Sequence, residues 1–364
     1  MSPETCRIVD VGKRRDGGTR YWCLEHRADA TAKYGRPATK CRHADIPPIM
    51  PNQVLEIDVE EFRGGVAMWG AVAPIYDTTR MAVAQGVHVH ARHDPGGKKE
   101  IDDTFRRVRV VHRHRQDVSE IVISELEAVY YMVSSVLGFP MKHVECTFCA
   151  FPHLDKDWFS VHPHRRHLCA GCGKHFRDTE RSIGNPVAGV KKTFQRRHAM
   201  KPAKRTIAID QSEYPGGIQL WGSNPALLWT ARRSEEEGIH LHVIDNDGHS
   251  TIVDETYSRV TIDGVALDDA MIRILMAQSG LPHIGGRVVD LRCPKCLRPH
   301  FDKAENAFTP HEEHCCGGCG SFFRSSGRMR NTIGNPLVGI LAELGRNAPR
   351  PPRQHRNALL IESI

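Results

Sequence analysis

The chain has 364 residues, with 50 Lys and Arg against 43 Asp and Glu and a net charge of +7, a length that predicts two or three domains. Its 40% hydrophobic and 26% charged residues exclude a largely disordered protein. The longest uncharged apolar stretch, Ala128 to Met141, is too short to span a membrane. The charged N-terminus shows no secretory signal, so we expect a cytoplasmic protein without membrane contact.

The first 50 residues form a basic segment that is rich in cysteine and histidine and poor in large apolar side chains. A segment this small folds more readily around a metal ion. Its spacings match no established zinc motif, so a third zinc site and reduced free cysteines stay alternative interpretations. The potential ligands are Cys6, Cys23, His26, Cys41 and His43.

The rest of the chain contains an internal repeat. At an offset of 152 positions, seventeen of fifty-six residues in 55–110 are identical in 207–262, and at an offset of 147, fifteen of thirty-two residues in 146–177 are identical in 293–324. This pattern predicts a tandem duplication. The predicted divisions are the N-terminal segment 1–50, module one 51–190, a basic linker 191–206, module two 207–345 and a Pro/Arg-rich tail 346–364.

Each module reads as β-strands, then a helix, then a cysteine-rich unit, which predicts the α+β class. In module one, apolar residues from Val122 to Val136 recur at helical spacing, and Gly138 ends that helix. In module two, 238–243 and 250–256 alternate like strands around Asp247-Gly248. Asp268 then begins a helix that ends at Gly280.

Each module also contains two CxxC pairs separated by nineteen residues. A CxxC turn places two thiolates on one side of the backbone, and two such turns enclose a tetrahedral Zn²⁺. Cys315 is not counted as a ligand, because its counterpart in module one is Leu168. The predicted ligands of two structural zinc sites are Cys146, Cys149, Cys169 and Cys172, and Cys293, Cys296, Cys316 and Cys319.

This pattern resembles the zinc-ribbon class, a small β-ribbon that holds four cysteines. The resemblance covers about thirty residues in each copy. It implies metal binding without naming a function, because zinc ribbons occur in nucleic-acid machinery, ribosomal proteins and enzymes alike.

Histidines recur at two places in each module. Between the CxxC pairs, a His-x-Asp precedes a His-x2-His, a pattern that fits hydrogen-bonded support of the zinc site, a second metal site or an acid–base site. A His-x-His lies on a predicted strand, where a two-residue Asp247-Gly248 turn would place a carboxylate across from one histidine. This arrangement fits a metal or acid–base site and equally a salt-bridged surface hairpin. The candidate catalytic residues are His88, His90 and Asp103, and His240, His242 and Glu255.

These features are compatible with three alternative functions. The basic segments favour a nucleic-acid-binding protein, a protein-interaction scaffold is one alternative, and a metal-dependent hydrolase that uses the strand histidines is another. No dinucleotide- or phosphate-binding glycine motif indicates a small-molecule cofactor. We therefore expect a zinc protein that works by binding, and we favour this over an enzyme. The predicted phosphate contacts are Arg106, Arg107, Lys191, Lys192, Arg196 and Arg197.

Overall fold

The structure is a computed structural model with two compact units, Met1–Asn52 and Gln53–Ile364, here called the N-terminal unit and the main unit. Within the part that is described, strands outnumber helices, and no helix is long and apolar enough to cross a membrane. The described residues are 8–13, 19–23, 28–29, 54–58, 60–70, 75–76, 86–94, 100–111, 121–194, 201–214, 216–222, 236–244, 251–281, 283–325 and 330–348.

The N-terminal unit contains an antiparallel sheet of β1 (Ile8–Lys13), β2 (Thr19–Cys23) and β3 (Ala28–Asp29), with β2 in the centre. Cys23 is the last residue of β2. The other four potential ligands, Cys6, His26, Cys41 and His43, lie outside the described residues. The third zinc site therefore stays a prediction.

The first half of the main unit contains nine strands, two α-helices and one 3-10 helix (Asp157–Val161) among its described residues. They build the sheets β4-β8-β9, β5-β6-β7 and β10-β12-β11. The elements are β4 (Val54–Asp58), β5 (Gly65–Gly70), β6 (Val87–Arg92), β7 (Ile101–Phe105), β8 (Arg107–Val111), β9 (Ile121–Ser124), α1 (Glu125–Leu137), β10 (Met141–Lys142), β11 (His164–Leu168), β12 (His175–Gly184) and α2 (Val187–Phe194).

The second half begins at Lys201 and contributes fourteen described strands, two α-helices and three short 3-10 helices. Its sheets β14-β19-β20 and β15-β17-β18 are accompanied by four two-stranded pairs. The elements are β13 (Lys201–Pro202), β14 (Thr206–Ile209), β15 (Gly217–Trp221), β16 (Glu236–Glu237), β17 (Ile239–Ile244), β18 (Thr251–Tyr257), β19 (Arg259–Ile262), β20 (Val265–Leu267), α3 (Asp269–Ser279), β21 (Val288–Val289), β22 (Leu291–Arg292), β23 (Pro299–His300), β24 (Glu313–Cys315), β25 (Phe322–Arg324), β26 (Ile333–Gly334) and α4 (Leu337–Asn347).

The two halves pair corresponding strands in the same register. β4 runs parallel to β8 with Ile57 beside Val110, and β14 runs parallel to β19 with Ile209 beside Ile262. Likewise β5 and β6 pair in the same antiparallel register as β15 and β17. Similar sequences in the two halves therefore adopt similar local structures.

The helix boundaries follow from local capping chemistry. Asp268 accepts a hydrogen bond from the backbone N–H of Met271 at 3.1 Å and begins α3, as its sequence predicts. α1 begins later than predicted, because Ser124 and Glu127 form a reciprocal capping box at its first turn. Val122, expected in this helix, instead lies in β9 and is exposed.

The largest apolar core of the main unit is shared by its two halves. Val129 and Val133 of α1 belong to the same buried cluster as Ile272 and Met276 of α3. A Cβ atom added to Gly280 would lie 3.2 Å from methyl groups of both valines, so the end of α3 packs closely on α1. The backbone N–H of Ile75 also donates to the carbonyl of Leu220 at 3.1 Å. This core therefore joins the two halves, while the strands β4 to β9 of the first half enclose a second buried cluster.

Candidate metal centres and a basic cleft

The eight predicted cysteine ligands form two groups of four, here called the four-cysteine clusters. In each cluster the CxxC turns are closed by backbone hydrogen bonds, such as the Ala150 N–H to the Cys146 carbonyl at 2.8 Å and the Gly173 N–H to the Cys169 carbonyl at 2.9 Å. Gly173 and its counterpart Gly320 have φ near +70°, a left-handed conformation that favours glycine. The turn thus favours glycine after each second CxxC pair, although Ala150 and Leu297 adopt a similar φ after the first pairs.

The sulfur positions fit a tetrahedral zinc ion. Four Sγ–Sγ distances between the CxxC turns are 3.5 to 3.7 Å. A tetrahedron with Zn–S bonds of about 2.3 Å has edges of about 3.8 Å, whereas a disulfide would need about 2.05 Å. Both four-cysteine clusters can therefore hold zinc. Cys315 is exposed and outside the second cluster, and Cys316 is within it.

Backbone donors favour the thiolate form at Cys169 of the first four-cysteine cluster. The N–H groups of Gly171 and Cys172 donate to Sγ of Cys169 at 3.3 and 3.4 Å. Burial raises the pKa of the Cys169 thiol, but these donors and the neighbouring thiols outweigh it and lower the pKa to about 6. A thiolate is the form of cysteine that binds a metal.

Beside each four-cysteine cluster, three histidines converge on one buried aspartate. In the first half, Oδ1 of Asp155 lies 2.7 Å from Nε2 of His153, 3.1 Å from Nε2 of His164 and 3.4 Å from Nδ1 of His167. Burial raises the pKa of the Asp155 carboxyl, but hydrogen bonds with the three histidines and the Gly184 N–H hold it well below its usual range. This group is called the first His/Asp cluster.

The second half repeats this arrangement as the second His/Asp cluster. Asp302 lies 2.7 Å from Nε2 of His300 through Oδ1, 3.3 Å from Nε2 of His311 through Oδ1 and 3.2 Å from Nδ1 of His314 through Oδ2. Phe323 packs against the rings of His300 and His314. Support of the zinc through imidazole–thiolate hydrogen bonds is not found in the described residues; the imidazoles turn to the aspartate instead.

The repeated Ile-Gly-Asn-Pro sequence holds each aspartate in place. The backbone N–H of Gly184 donates to Oδ2 of Asp155 at 2.7 Å, and a Cβ atom on Gly184 would lie 2.8 Å from the His153 ring. The next residue, Asn185, donates from its side chain to the Glu127 carbonyl in α1 at 3.1 Å. Gly334 makes the same bond to Asp302. The motif thus ties each His/Asp cluster to a core helix.

The strand histidines form a different, more open group. Val87, Val89 and Ala91 of β6 point into the core, whereas His88 and His90 point to the other, half-buried face. The two Nε2 atoms of His88 and His90 lie 2.8 Å apart. In the second half the Nε2 atoms of His240 and His242 lie 3.0 Å apart.

The predicted carboxylate partners of these histidines are wrong by one residue. His240 pairs with Thr256 and His242 with Asp254, and in the first half Asp103 pairs with Val89. Ile244 does pair with Thr251, as the predicted turn requires, but a β-bulge at Ile252 shifts the register beyond it.

The displaced carboxylates therefore have other roles. Glu255 pairs with Arg205 at 2.6 Å, and Asp254 replaces it as the neighbour of the histidines, at 3.3 Å from His240 and 3.1 Å from His242. Hydrogen bonds from the two histidines hold the pKa of Asp254 well below its usual range.

A basic cleft opens on the ribbon of the first half, with a volume of about 730 Å³. It is lined by four arginines from β11 and β12 together with Trp158 and His162, whose rings stack with centroids 3.8 Å apart. One acidic residue, Glu305 of the second half, also lines it and lies 3.4 Å from Nε2 of His162. Trp158 and the adjacent Phe159 are each nearly half exposed. The arginines are Arg165, Arg166, Arg177 and Arg181.

Two of these arginines face each other across the ribbon. Arg166 pairs with Arg177 in the register of β11 and β12, and like charges directly opposite each other destabilise a sheet. At the matching place in the second half, Glu313 pairs with Arg324 through an ion pair of 2.6 Å. Among the described residues, no acidic side chain forms an ion pair with Arg165, Arg166 or Arg177.

The described lining of the cleft does not contain any of the basic residues that the sequence predicts as phosphate contacts. Arg106 and Arg107 are exposed at the junction of β7 and β8, far along the chain from the ribbon. Lys191 and Lys192 lie in α2, where the structure describes their backbone only. Arg196 and Arg197 lie in 195–200, outside the described residues. The repeat contains a signal for this surface, because Arg165-Arg166 of the first copy aligns with Glu312-Glu313 of the second, which reverses the charge.

Comparison with protein-family models, curated proteins and solved structures finds no match to this chain. Its function therefore has to be inferred from the geometry of these sites.

Proposed function

We propose that this protein binds single-stranded nucleic acid through the basic cleft of its first half, with zinc at both four-cysteine clusters maintaining the structure. The cross-strand pair of Arg166 and Arg177 carries this proposal. A phosphate placed between two like charges removes their repulsion. The cleft therefore gains stability when an anion binds, and it loses that gain when the anion leaves.

The second half provides an internal contrast. The positions of Arg165, Arg166 and Trp158 are taken there by Glu312, Glu313 and Glu305, on a ribbon with the same cross-strand register. The four-cysteine ribbon thus persists in both halves, while the arginine-rich surface beside Trp158 occurs in one. A structural requirement of the ribbon does not account for that surface.

Exposed aromatic rings and basic side chains on the same ribbon favour unpaired bases over a duplex. Trp158, Phe159, Phe148 and Phe151 are all between 46% and 59% exposed, and Lys174 lies over the Phe148 ring at 4.9 Å. Single-stranded binding proteins combine such stacking rings with a basic groove that follows the backbone. A duplex would hide its bases from these rings.

Fluorescence anisotropy with labelled single- and double-stranded DNA and RNA, from low to physiological salt, tests the proposal. We expect single strands to bind most tightly, and Trp158→Ala to weaken binding by about tenfold, since one base–aromatic stack contributes about 1–3 kcal/mol. The matched control is Phe322→Ala, which removes an exposed ring from the second half. Equal effects of the two variants, or no binding at low salt, would refute the proposal.

The domain divisions expected from the sequence belong to the same proposal. A tandem duplication of the module in 51–190 into 207–345 is supported by the matching strand registers, four-cysteine clusters and His/Asp clusters of the two halves. The basic cleft would then have arisen in one copy, or been lost from the other, after duplication.

A second candidate function, metal-dependent hydrolysis, is supported by the open group of His240, His242 and Asp254. Their ligand atoms lie 3.0 to 3.3 Å apart on a half-exposed face, and catalytic zinc sites use three protein ligands and keep one position open. A phosphodiester hydrolysis assay with added Zn²⁺ or Mn²⁺ tests it. Activity should disappear in His240→Ala with His242→Ala and persist in His93→Ala, a histidine elsewhere on the surface that pairs with Glu100.

A further inference from the structure

We infer that each His/Asp cluster is a second zinc site, with three imidazole nitrogens and one carboxylate oxygen as ligands. The protein would then hold two zinc ions in each half of the main unit, one with four sulfur ligands and one with nitrogen and oxygen ligands. The ligands would be His153, Asp155, His164 and His167 in the first half, and His300, Asp302, His311 and His314 in the second.

The proton positions on His164 and His311 carry this inference. Nδ1 of His164 lies 2.8 Å from the carbonyl oxygen of His162, and Nδ1 of His311 lies 2.8 Å from that of Thr309. A carbonyl oxygen only accepts, so Nδ1 carries the proton and Nε2 of the neutral ring presents a lone pair. In both clusters that lone pair faces a carboxylate oxygen of the aspartate, at 3.1 and 3.3 Å.

Two lone pairs at this distance repel each other, so either a second ring proton or a metal ion has to lie between them. A zinc ion fits this place, and ligating histidines usually donate their other N–H to a backbone carbonyl, as both rings do here. The N–H of Gly184 or Gly334 holds the outer oxygen of each aspartate at 2.7 Å. The inner oxygen, Oδ1, is thereby directed at two imidazoles of each cluster, while His314 lies 3.2 Å from the outer oxygen of Asp302.

Several of these buried nitrogens approach the aspartate without the geometry of a hydrogen bond. His314 is completely buried, and its Nδ1 lies 3.2 Å from Oδ2 of Asp302, yet neither ring nitrogen has a hydrogen-bond partner. Nε2 of His311 is also unpartnered at 3.3 Å. Buried polar atoms without partners are costly, whereas a shared metal ion would bind Nδ1 of His314 and Nε2 of His311.

The distances match a zinc ion with nitrogen and oxygen ligands. Bonds of about 2.0–2.1 Å in a tetrahedron give edges of about 3.3–3.4 Å. Four of the six nitrogen–oxygen distances are 3.1 to 3.4 Å; the oxygen is Oδ1 for His164 and His311 and Oδ2 for His167 and His314. The remaining two, from His153 and His300, are 2.7 Å. These two rings need to open by about 0.6 Å to reach the same edge.

Metal analysis of the full chain tests the inference. The variant Asp155→Asn with Asp302→Asn removes the anionic ligand from both clusters and keeps an oxygen for the glycine N–H. We expect it to contain two fewer zinc ions per chain than the unsubstituted protein. His175→Gln, an exposed histidine of β12 outside the cluster, is the matched control and should keep the full content. Equal metal content in the folded Asn variant would overturn the inference.

Cobalt substitution separates the two kinds of site. Cobalt bound to thiolates gives a sulfur-to-metal charge-transfer band in the near ultraviolet, which nitrogen and oxygen ligands do not give. The Asn variant should keep this band and lose visible absorption from the other sites. Loss of the thiolate band with unchanged visible absorption would contradict our assignment.

X-ray absorption at the zinc edge of the unsubstituted chain decides the question if the Asn variant fails to fold. Four occupied sites in the main unit give nearly equal numbers of sulfur and nitrogen or oxygen neighbours per zinc. The four-cysteine clusters alone give nearly pure sulfur, and that result would refute the second sites. Because the readout is metal content, failure of nucleic-acid binding would leave this inference standing.

Discussion

Replacing Arg165 and Arg166 by glutamate converts the ribbon of the first half to the charge pattern of the second. A plot of the logarithm of the binding constant against the logarithm of the salt concentration has a negative slope. If both arginines contact phosphates of a single strand, the magnitude of this slope should fall by about 1.4, since each contact contributes about 0.7. At about 0.15 M salt the same two contacts correspond to roughly fifteenfold in affinity, or about 1.6 kcal/mol. Repulsion by the new carboxylates makes this a lower limit.

The same substitution should leave the fold intact or stabilise it. Arg166 faces Arg177 across the strands, and a carboxylate at position 166 can form the ion pair that Glu313 forms with Arg324. We therefore expect an unchanged or higher Tm together with weaker binding. A variant that loses binding because it unfolds would show the opposite change in Tm.

Anisotropy titrations at several salt concentrations measure both effects. The control, Arg259→Glu with Arg346→Glu, makes the same change in net charge at two exposed arginines of the second half. An equal loss of affinity in the control would show that net charge alone governs binding. Unchanged affinity in Arg165→Glu with Arg166→Glu would refute the role of the cleft.

Three further outcomes are expected. Cys316→Ser should remove one zinc ion and lower the Tm, whereas Cys315→Ser next to it should change neither, as measured by metal analysis and thermal melting; equal effects would contradict the ligand assignment. Ser124→Ala removes the capping box of α1 and should lower the free energy of unfolding, measured by chemical denaturation, by about 1 kcal/mol. The comparison is Ser279→Ala, which changes an exposed serine at the end of α3. Arg106→Gln with Arg107→Gln should reduce affinity less than the cleft variant does; the reverse order would move the binding surface to β7 and β8.

The features that were predicted correctly depend on residues that are close together in sequence. The CxxC turns need only two thiolates three positions apart, and the start of α3 needs only Asp268 and the next turn, so both are visible without a structure. The start of α1 was placed too early because Val122 continues the helical spacing, although the Ser124 capping box fixes the boundary. Local chemistry therefore decided these elements.

The features that were missed depend on strand register. A single bulged residue, Ile252, exchanges Glu255 for Asp254 beside the histidines, and no turn motif in the sequence marks that bulge. Arg166 and Arg177 are eleven positions apart and become neighbours only through the pairing of β11 with β12. The sequence drew attention to runs of adjacent basic residues, whereas the cleft collects arginines from two strands.

Because α1 packs against α3, loss of metal from one half should also affect the stability of the other half. Each His/Asp cluster is tied to its core helix, through Asn185 to α1 and through Asn335 to α3, and these helices share one apolar cluster. Chelation that loosens one ribbon should therefore reduce protection from hydrogen exchange in the opposite helix as well. Cutting the chain between the halves would leave two fragments that remain associated, because each fragment covers the apolar surface of the other.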